Sequence, residues 1–176
     1  MNRHSVNTLT TVRLEIISLT PELLRCWVED MEALETQLNC QYKADPMQGF
    51  FREIVKGQLA ITEKDPDNYL WHTFRLIIRK SDRAVIGSAD FKDVPNINGE
   101  VEIGYGIGKE FEHQGYMTEA AEAMCRWALS QPDVKSVIAE TYLDGYASQR
   151  ILQRLGFVEY SRDETVWWRL SRPQTN

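Results

Sequence analysis

The chain has 176 residues and a formal net charge of −6, with 43% hydrophobic and 26% charged residues. This length and composition predict a single globular domain with a core of its own. Because the chain is acidic and no apolar run approaches the roughly 18 residues of a membrane span, we expect neither nucleic acid nor a membrane as a partner.

The two ends of the chain are predicted to be tails around one domain, residues 11–170. Residues 1–10 are polar and contain no apolar signal-peptide core, so they are predicted to form a loose tail, with residues 171–176 as a second one. The three cysteines and three histidines are scattered, without the clustered spacing of a zinc site. No metal is therefore expected, and reduced thiols are typical of a cytoplasmic protein.

The first third of the chain has a helical pattern after one strand. Residues 11–17 alternate in polarity and predict the opening strand. Thr20, Pro21 and Glu22 then predict a helix start, with a hydroxyl cap, a proline at the first helical position and an early carboxylate. Helical spacing of apolar residues continues, with a new start near Pro46. Helices of this kind can wall a substrate pocket.

From Trp71 onward the pattern changes to strands alternating with helices. In chain order it predicts strands at 74–78, 84–91 and 101–107, a helix at 114–130, a strand at 137–142, a helix at 146–155 and a hairpin at 157–170. Asn98 and Gly99 form a tight-turn signal before the third strand. An antiparallel meander followed by a helical crossover to a parallel strand predicts a mixed α/β sheet.

The densest chemical signal is IGKEFEHQGYMTEA, residues 107–120, where a strand passes through a glycine-containing loop into a long helix. A helix N-terminus has unpaired N–H groups and the positive end of a dipole, which suit a phosphate group. Gly115 leaves room for a pyrophosphate, and Thr118 adds a hydroxyl donor. An ordinary loop whose glycines only form turns is the alternative.

Two commoner phosphate motifs do not fit this segment. The Walker loop needs a glycine where Ile103 stands and a hydroxyl where Glu110 stands. The dinucleotide fingerprint opens a helix, whereas Gly104, Gly106 and Gly108 alternate along a predicted strand. Both motifs are therefore excluded.

The strand before the loop has two unlike faces. Glu102, Gly104 and Gly106 share one of them, so a carboxylate stands beside a lane without side chains. Glycine in a strand often marks the close approach of a ligand, and a general base needs a carboxylate held near that ligand. Glu102 is therefore a candidate base. A solvated glutamate on an exposed face is the alternative.

The segment EIGYGIGKEFEHQGYMTEA, followed further along by ASQRILQRLGF, resembles the GNAT superfamily of acetyltransferases. The opening TVRLEIISLTPE and the hairpin IIRKSDRAVIGSADF are similar to the branch that includes the RimJ/RimL-type ribosomal-protein N-terminal acetyltransferases. The similarity covers residues 11–170, and the order of the motifs makes it specific. It implies a GNAT fold, which is a mixed, mostly antiparallel central sheet with splayed fourth and fifth strands, flanked by helices.

The resemblance also implies where acetyl-CoA binds, with its pantetheine arm between the splayed strands. The phosphate loop of the family corresponds to residues 112–117, and its second signature to residues 145–148. The cofactor-binding residues implied are Tyr105, Ile107, Glu112, His113, Gln114, Gly115, Tyr116, Met117, Thr118, Gly145 and Ser148. This chain departs from the family pattern at both loop ends, Glu112 and Met117, and at Gly145, where the family commonly has asparagine.

We therefore expect an N-acetyltransferase, an acyl-group transferase that moves an acetyl group directly from acetyl-CoA to a primary amine. Glu102 is the first candidate for the base, and Glu140 on the neighbouring strand is the second. Some relatives use a tyrosine as general acid at the position of Leu152. Ser148 is therefore the first candidate for protonating the CoA thiolate, and two tyrosines, Tyr142 and Tyr146, are the alternatives.

A non-catalytic acyl-CoA sensor with the same fold is the alternative function, and Gly145 and Glu112 are the residues that favour it. The acceptor stays open between a protein N-terminus, an amino acid, a polyamine and an antibiotic. The protein is expected to act as a monomer or a homodimer.

Overall fold

The computed structural model describes residues 6–173. Within that range the strands are β1 (Thr8–Thr10), β2 (Leu14–Ser18), β3 (Gln41–Tyr42), β4 (Phe74–Arg79), β5 (Ala84–Phe91), β6 (Glu100–Ile107), β7 (Ser136–Tyr142), β8 (Val158–Arg162) and β9 (Thr165–Ser171). The α-helices are α1 (Pro21–Glu29), α2 (Met31–Leu38), α3 (Gly49–Lys64), α4 (Tyr69–His72), α5 (Tyr116–Ser130) and α6 (Tyr146–Arg154). None of the helices in this range is long and apolar enough to cross a bilayer.

The strands form one mixed sheet in the order β1-β2-β4-β5-β6-β7-β9-β8, and β3 pairs with β5 beside this path. Neighbouring strands are antiparallel except for the β3–β5 and β6–β7 pairs, which are parallel. The parallel β6–β7 pair is connected through α5, as the predicted helical crossover requires. The mixed, mostly antiparallel sheet expected from the sequence is confirmed.

Helix α1 begins where the sequence predicts it. Thr20 is its cap, and the hydroxyl accepts a hydrogen bond from the N–H of Leu23. This bond satisfies one of the N–H groups that a helix start leaves unpaired, a contribution of typically about 1 kcal/mol. The start of α3 is less well predicted, since that helix begins at Gly49 rather than near Pro46.

Within residues 6–173, parts of the two expected tails form backbone hydrogen bonds with the rest of the fold. Thr8–Thr10 pairs antiparallel with β2, so the first strand of the sheet lies inside the segment predicted to be a loose tail. Near the other end, the N–H of Arg172 donates to the carbonyl of Lys135 at 2.8 Å. The rest of the two predicted tails, residues 1–5 and 174–176, lies outside the described residues.

Strands β6 and β7 separate along their length. They pair only over residues 100–102 and 136–138. Beyond that point β6 continues along β5 as far as Ile107, and β7 continues along β9 as far as Tyr142. If the very short strands β1 and β3 are not counted, β6 and β7 are the fourth and fifth strands. Their separation is the splay expected from the sequence.

The sheet separates two apolar cores. Strand β4 contributes to both, because Ile77 packs on the α5 side while Leu76 and Ile78 pack on the side of α1 and α3. Helix α5 buries the stripe that its spacing predicts, formed by Met117, Ala120, Ala121, Met124, Cys125 and Ala128. Helices α3 and α5 therefore lie on opposite faces of the sheet.

Candidate active site

A cleft of about 480 Å³ opens where β6 and β7 separate. Its walls are the end of β6, the loop before α5, the first turn of α5, and α6. Of the residues predicted to bind the cofactor, it brings together Tyr105, Ile107, Glu112, His113, Gly115, Tyr116, Met117, Thr118 and Ser148. Two others lie outside this lining. The side chain of Gln114 donates to the carbonyl of Glu110, and the N–H of Gly145 donates to the carbonyl of Tyr142 at 3.0 Å.

The loop turns sharply just before α5. His113 and Gly115 have left-handed backbones, with φ of 60° and 79°, and glycine adopts this conformation without steric cost. Gly115 is the N-cap of α5. Because glycine has no side chain, the first N–H groups of the helix receive no side-chain cap. The first N–H groups of α5 and the positive end of its dipole therefore border the cleft, which suits a phosphate group.

An ion pair from the start of the domain holds this loop. Arg13 Nε lies 2.7 Å from Glu119 Oε2, and Arg13 also donates to the carbonyl of Gln114 at 2.9 Å. Burial raises the pKa of Glu119, but hydrogen bonds from Thr11 and Arg13 outweigh burial and leave that pKa below its usual value. Because Arg13 and Glu119 are separated by 106 positions in the chain, no local motif could reveal this support.

Tyr105 and Ser148 join β6 to α6 across the cleft. Their hydroxyl oxygens lie 2.8 Å apart and are hydrogen bonded. Burial raises the pKa of Tyr105 to about 12, and the bond to Ser148 partly opposes that shift. Ser148 therefore has a protonated hydroxyl beside it at neutral pH. The alternative acids, Tyr142 and Tyr146, are 77% and 65% exposed.

Two arginines of α6 also line the cleft, and the sequence analysis did not single them out. Arg150 and Arg154 are exposed and lie one helical turn apart on one face of α6. Within residues 6–173, neither forms an ion pair with a carboxylate. The polar face of α6 could be read from its sequence, whereas the position of that face beside the cleft depends on tertiary structure.

A second cavity, of about 620 Å³, lies on the other face of the sheet. Helix α3 contributes Phe51 and Ile54 to its wall, and β5 and β6 form its floor. Tyr105, Gly106 and Ile107 line both cavities. The two spaces therefore meet at this strip of β6.

The floor of the second cavity carries a carboxylate that the sequence analysis missed. Asp90 is 7% exposed and lies opposite Gly104 in the register of β5 and β6. A Cβ on Gly104 would lie 2.7 Å from Asp90 Oδ1, so the carboxylate requires a glycine there. Burial raises the pKa of Asp90 to about 6, with Lys92 and Arg75 opposing the shift and Glu102 adding to it.

The predicted base, Glu102, lies beside this cavity. Its carboxylate is 2.9 Å from Nζ of Lys92, and Lys92 itself lines the cavity. The second candidate, Glu140, is exposed and accepts a hydrogen bond from Thr165 at 2.7 Å. Gly106, part of the glycine lane predicted beside Glu102, faces open space, with no atom within 4 Å of its Cβ position. A ligand can approach the strand at that point.

The family can now be identified from comparisons with known proteins. A family model described as "Acetyltransferase (GNAT) domain" matches residues 13–158. The chain therefore belongs to the GNAT acetyltransferase family, as its motifs indicate.

Two curated relatives come from Bacillus. The chain is 35% identical over 83 residues to "Uncharacterized N-acetyltransferase YjdG" of Bacillus subtilis (strain 168), a match that covers 47% of this chain and 49% of YjdG. It is 23% identical over 141 residues to "Uncharacterized N-acetyltransferase p20" of Bacillus licheniformis, covering 76% of this chain and 79% of p20. The chain thus spans about half the length of the first of these relatives.

Solved structures support the fold. The chain superposes on the ribosomal-protein-S5-alanine acetyltransferase from Vibrio fischeri with a TM-score of 0.68 and 13% identity, covering 94% of this chain and 97% of that one. It superposes on RimL, a ribosomal L7/L12 α-N-protein acetyltransferase in complex with coenzyme A, with a TM-score of 0.66 and 16% identity, covering 94% and 98%. At such identities the likeness establishes the fold alone.

Proposed function

We propose that the protein is an acetyl-CoA-dependent N-acetyltransferase that moves an acetyl group directly to a primary amine. The observation that carries this proposal is the pair of cavities on opposite faces of the sheet, which meet at Tyr105, Gly106 and Ile107. One cavity suits a phosphate-bearing donor and the other a separate acceptor. Their common strip is where a donor and an acceptor can come into contact.

The cleft has features that fit the phosphate end of acetyl-CoA. The uncapped N-terminus of α5 and the bare backbone at Gly115 suit the pyrophosphate, and Arg150 and Arg154 supply positive charge nearby. Glu112 is the one acidic residue of the lining and opposes that charge. Because backbone N–H groups do most of the binding in this arrangement, we expect the cleft to tolerate Glu112.

In the proposed reaction the amine nitrogen attacks the thioester carbonyl, the N–C bond forms, and the C–S bond breaks to release the CoA thiolate. The amine must be neutral to attack, so a base has to accept its proton. We assign that role to Glu102, acting directly or through water. Ser148, hydrogen bonded to Tyr105, is the proposed donor to the departing thiolate. N–H groups at the splayed part of β6 are proposed to stabilise the charge that develops on the carbonyl oxygen.

The test combines cofactor binding with turnover. Acetyl-CoA should raise the melting temperature by mass action, and adenosine 3′,5′-bisphosphate, which lacks the pantetheine arm, should raise it less. A thiol-release assay with acetyl-CoA and a panel of primary amines should then detect transfer. The absence of any shift at millimolar acetyl-CoA would refute the proposal. Tight binding without transfer to any amine would support the non-catalytic sensor instead.

We also propose that the protein acts in the cytoplasm. All three cysteines, Cys26, Cys40 and Cys125, are free thiols, which suits a reducing compartment. Reduction of the protein with dithiothreitol should therefore leave its melting temperature and transfer rate unchanged.

A further inference from the structure

We propose that the acceptor is a primary ammonium ion carried on an apolar body, which enters the 620 Å³ cavity ammonium first and binds the Asp90 carboxylate. This inference rests on the proposed acetyltransferase function and names the chemical class of its acceptor. It also assigns Asp90 as an acceptor-binding residue, a role that the sequence motifs gave to no residue.

The first support is an unpartnered carboxylate. Asp90 is 7% exposed, lines the cavity, and accepts no hydrogen bond from the described residues. Its two oxygens are not among the fully buried, unpaired side-chain atoms of the described residues, so they can be reached from the cavity. A donor that binds there gains a charge-assisted hydrogen bond in a largely buried setting. Because the open side of Asp90 faces the cavity, that donor is expected to be a ligand with N–H groups.

Two cations act on Asp90 without hydrogen bonding to it, and one of them, Arg75, is itself buried with its Nε and Nη1 unpaired. Lys92 Nζ is 2.9 Å from Glu102, so that pair largely neutralises itself. Arg75 lies on the opposite side of the sheet, where its guanidinium packs over Phe91 and donates to the carbonyl of Leu70 at 2.9 Å. Both cations draw the pKa of Asp90 down, but burial outweighs them and sets it at about 6. At neutral pH the carboxylate is therefore mostly ionised and suits a cationic ligand.

The second support is the apolar wall that faces this carboxylate. Phe51 and Phe74 line the cavity with ring centres 5.8 Å apart at an angle of 90°, a rigid edge-to-face pair. Ile54 extends the wall outward along α3. A ligand that places its ammonium on Asp90 brings the atoms next to that nitrogen against this wall. The cavity therefore favours an amine with an aromatic or aliphatic body over a polyamine with further charges along its length.

The experiment compares amines and carboxylate variants in the thiol-release assay. The probes are 2-phenylethylamine, its neutral isostere 2-phenylethanol, and spermidine. Asp90→Asn keeps the shape of the side chain, and Asp163→Asn is the matched control, because Asp163 is exposed and lies outside both cavities.

We expect the wild type to prefer 2-phenylethylamine to spermidine and to bind 2-phenylethanol weakly. Asp90→Asn should raise the KM for 2-phenylethylamine by roughly 10- to 100-fold, the range of a hydrogen bond to a charged group, with the KM for acetyl-CoA unchanged. Asp163→Asn should change neither KM. A preference for spermidine, or equal effects of the two substitutions, would overturn the inference.

Binding measured without the donor separates this inference from the proposed function. In calorimetric titration, 2-phenylethylamine should bind the wild type, and the affinity should fall as the pH drops below about 6, where Asp90 becomes protonated. If amine binding of this kind is found but acetyl-CoA does not bind, the proposed function fails and the cavity assignment stands. If acetyl-CoA binds and 2-phenylethylamine does not, or binds with the same affinity from pH 5 to pH 8, the cavity assignment fails.

Discussion

Glu102 and Lys92 form an ion pair beside the acceptor cavity, and this contact bears on the proposed role of Glu102 as base. A carboxylate held at 2.9 Å by an ammonium group is oriented, but it must give up part of that bond to accept a proton. The adjoining cavity provides the space through which a water molecule can relay the proton. The ion pair is therefore compatible with the proposed role of Glu102.

The first prediction concerns Glu102→Gln, which keeps the size of the side chain and removes its basicity. The transfer rate should fall by at least ~10²-fold near neutral pH, the lower end of general-base contributions. The loss should shrink as pH rises, because more of the amine is then neutral, and acetyl-CoA affinity should barely change.

Glu100→Gln is the control for this prediction, since Glu100 lies on the same strand and is also ion-paired, with Arg169 at 2.7 Å. Wild-type turnover in Glu102→Gln would exclude this base and favour Glu140 or a chain of water molecules in its place.

The second prediction concerns Asp90 and stability. Its pKa of about 6 in the folded protein lies above the value of 3.8 for an unperturbed aspartate. Folding therefore favours the protonated carboxyl. Its contribution to the free energy of unfolding is present at low pH and is lost as pH rises from about 4 through about 6. At pH 8 the ionised Asp90 destabilises the fold, by up to roughly 3 kcal/mol on the pKa difference.

Asp90→Asn should accordingly raise the free energy of unfolding at pH 8, and the gain should narrow at pH 5. Urea titrations at the two pH values measure this difference. Asp163→Asn serves again as the exposed control, with no expected gain. An unchanged or lower stability of Asp90→Asn at pH 8 would contradict the buried, ionised state assigned to Asp90.

At the scale of elements, the N-terminus of α5 is the feature on which donor binding depends. Gly115→Asp places a carboxylate at the N-cap of α5, with its Cβ 3.4 Å from Nη2 of Arg13. There it can accept hydrogen bonds from the first N–H groups of the helix and compete with the proposed pyrophosphate. Aspartate is among the residues that tolerate a left-handed backbone, so the fold should survive. Affinity for acetyl-CoA in calorimetric titration should fall by at least ~10-fold, the effect of one lost charge-assisted contact.

Gly49→Asp is the matched control, because Gly49 also has a positive φ, of 57°, at the start of α3, with no atom within 4 Å of its Cβ position. It carries the same charge and strain away from the cleft, and affinity should stay at the wild-type level. Equal affinities of the two variants would mean that the donor binds elsewhere.

The sequence predicted the long elements well, since each has a local signature. The cap at Thr20 and the apolar stripe of α5 both follow from local chemistry. The short strands β1 and β3 were missed, because a strand of two or three residues is defined by its partner rather than by a pattern of its own.

The candidate site was also predicted only in part. The phosphate loop was found because it is contiguous in sequence. Asp90 was missed because it is the penultimate residue of a run, AVIGSADF, that has the pattern of an ordinary buried strand. Its position on the cavity floor appears only in the tertiary structure. Arg13 was missed for a related reason, since it supports the loop from the turn between β1 and β2.

At the scale of the whole molecule, the sheet acts as a partition. Helices α1 to α3 and their core cover one face, and α5 with its core covers the other. Where β6 and β7 separate, the sheet has a gap, and the spaces on its two faces meet there. Family membership rests on the match over residues 13–158, and strand β1 extends the described fold slightly further toward the N-terminus.

The shared strip at Tyr105, Gly106 and Ile107 has a consequence for the order of kinetic events. Because donor and acceptor enter from opposite faces, neither has to leave before the other binds, and no enzyme-bound acetyl group is required between them. Initial rates measured over a grid of acetyl-CoA and amine concentrations should give intersecting lines in double-reciprocal plots. Labelled CoA should not exchange into acetyl-CoA when the amine is absent. Parallel lines together with rapid exchange would instead indicate a covalent acetyl-enzyme intermediate that forms before the amine reacts.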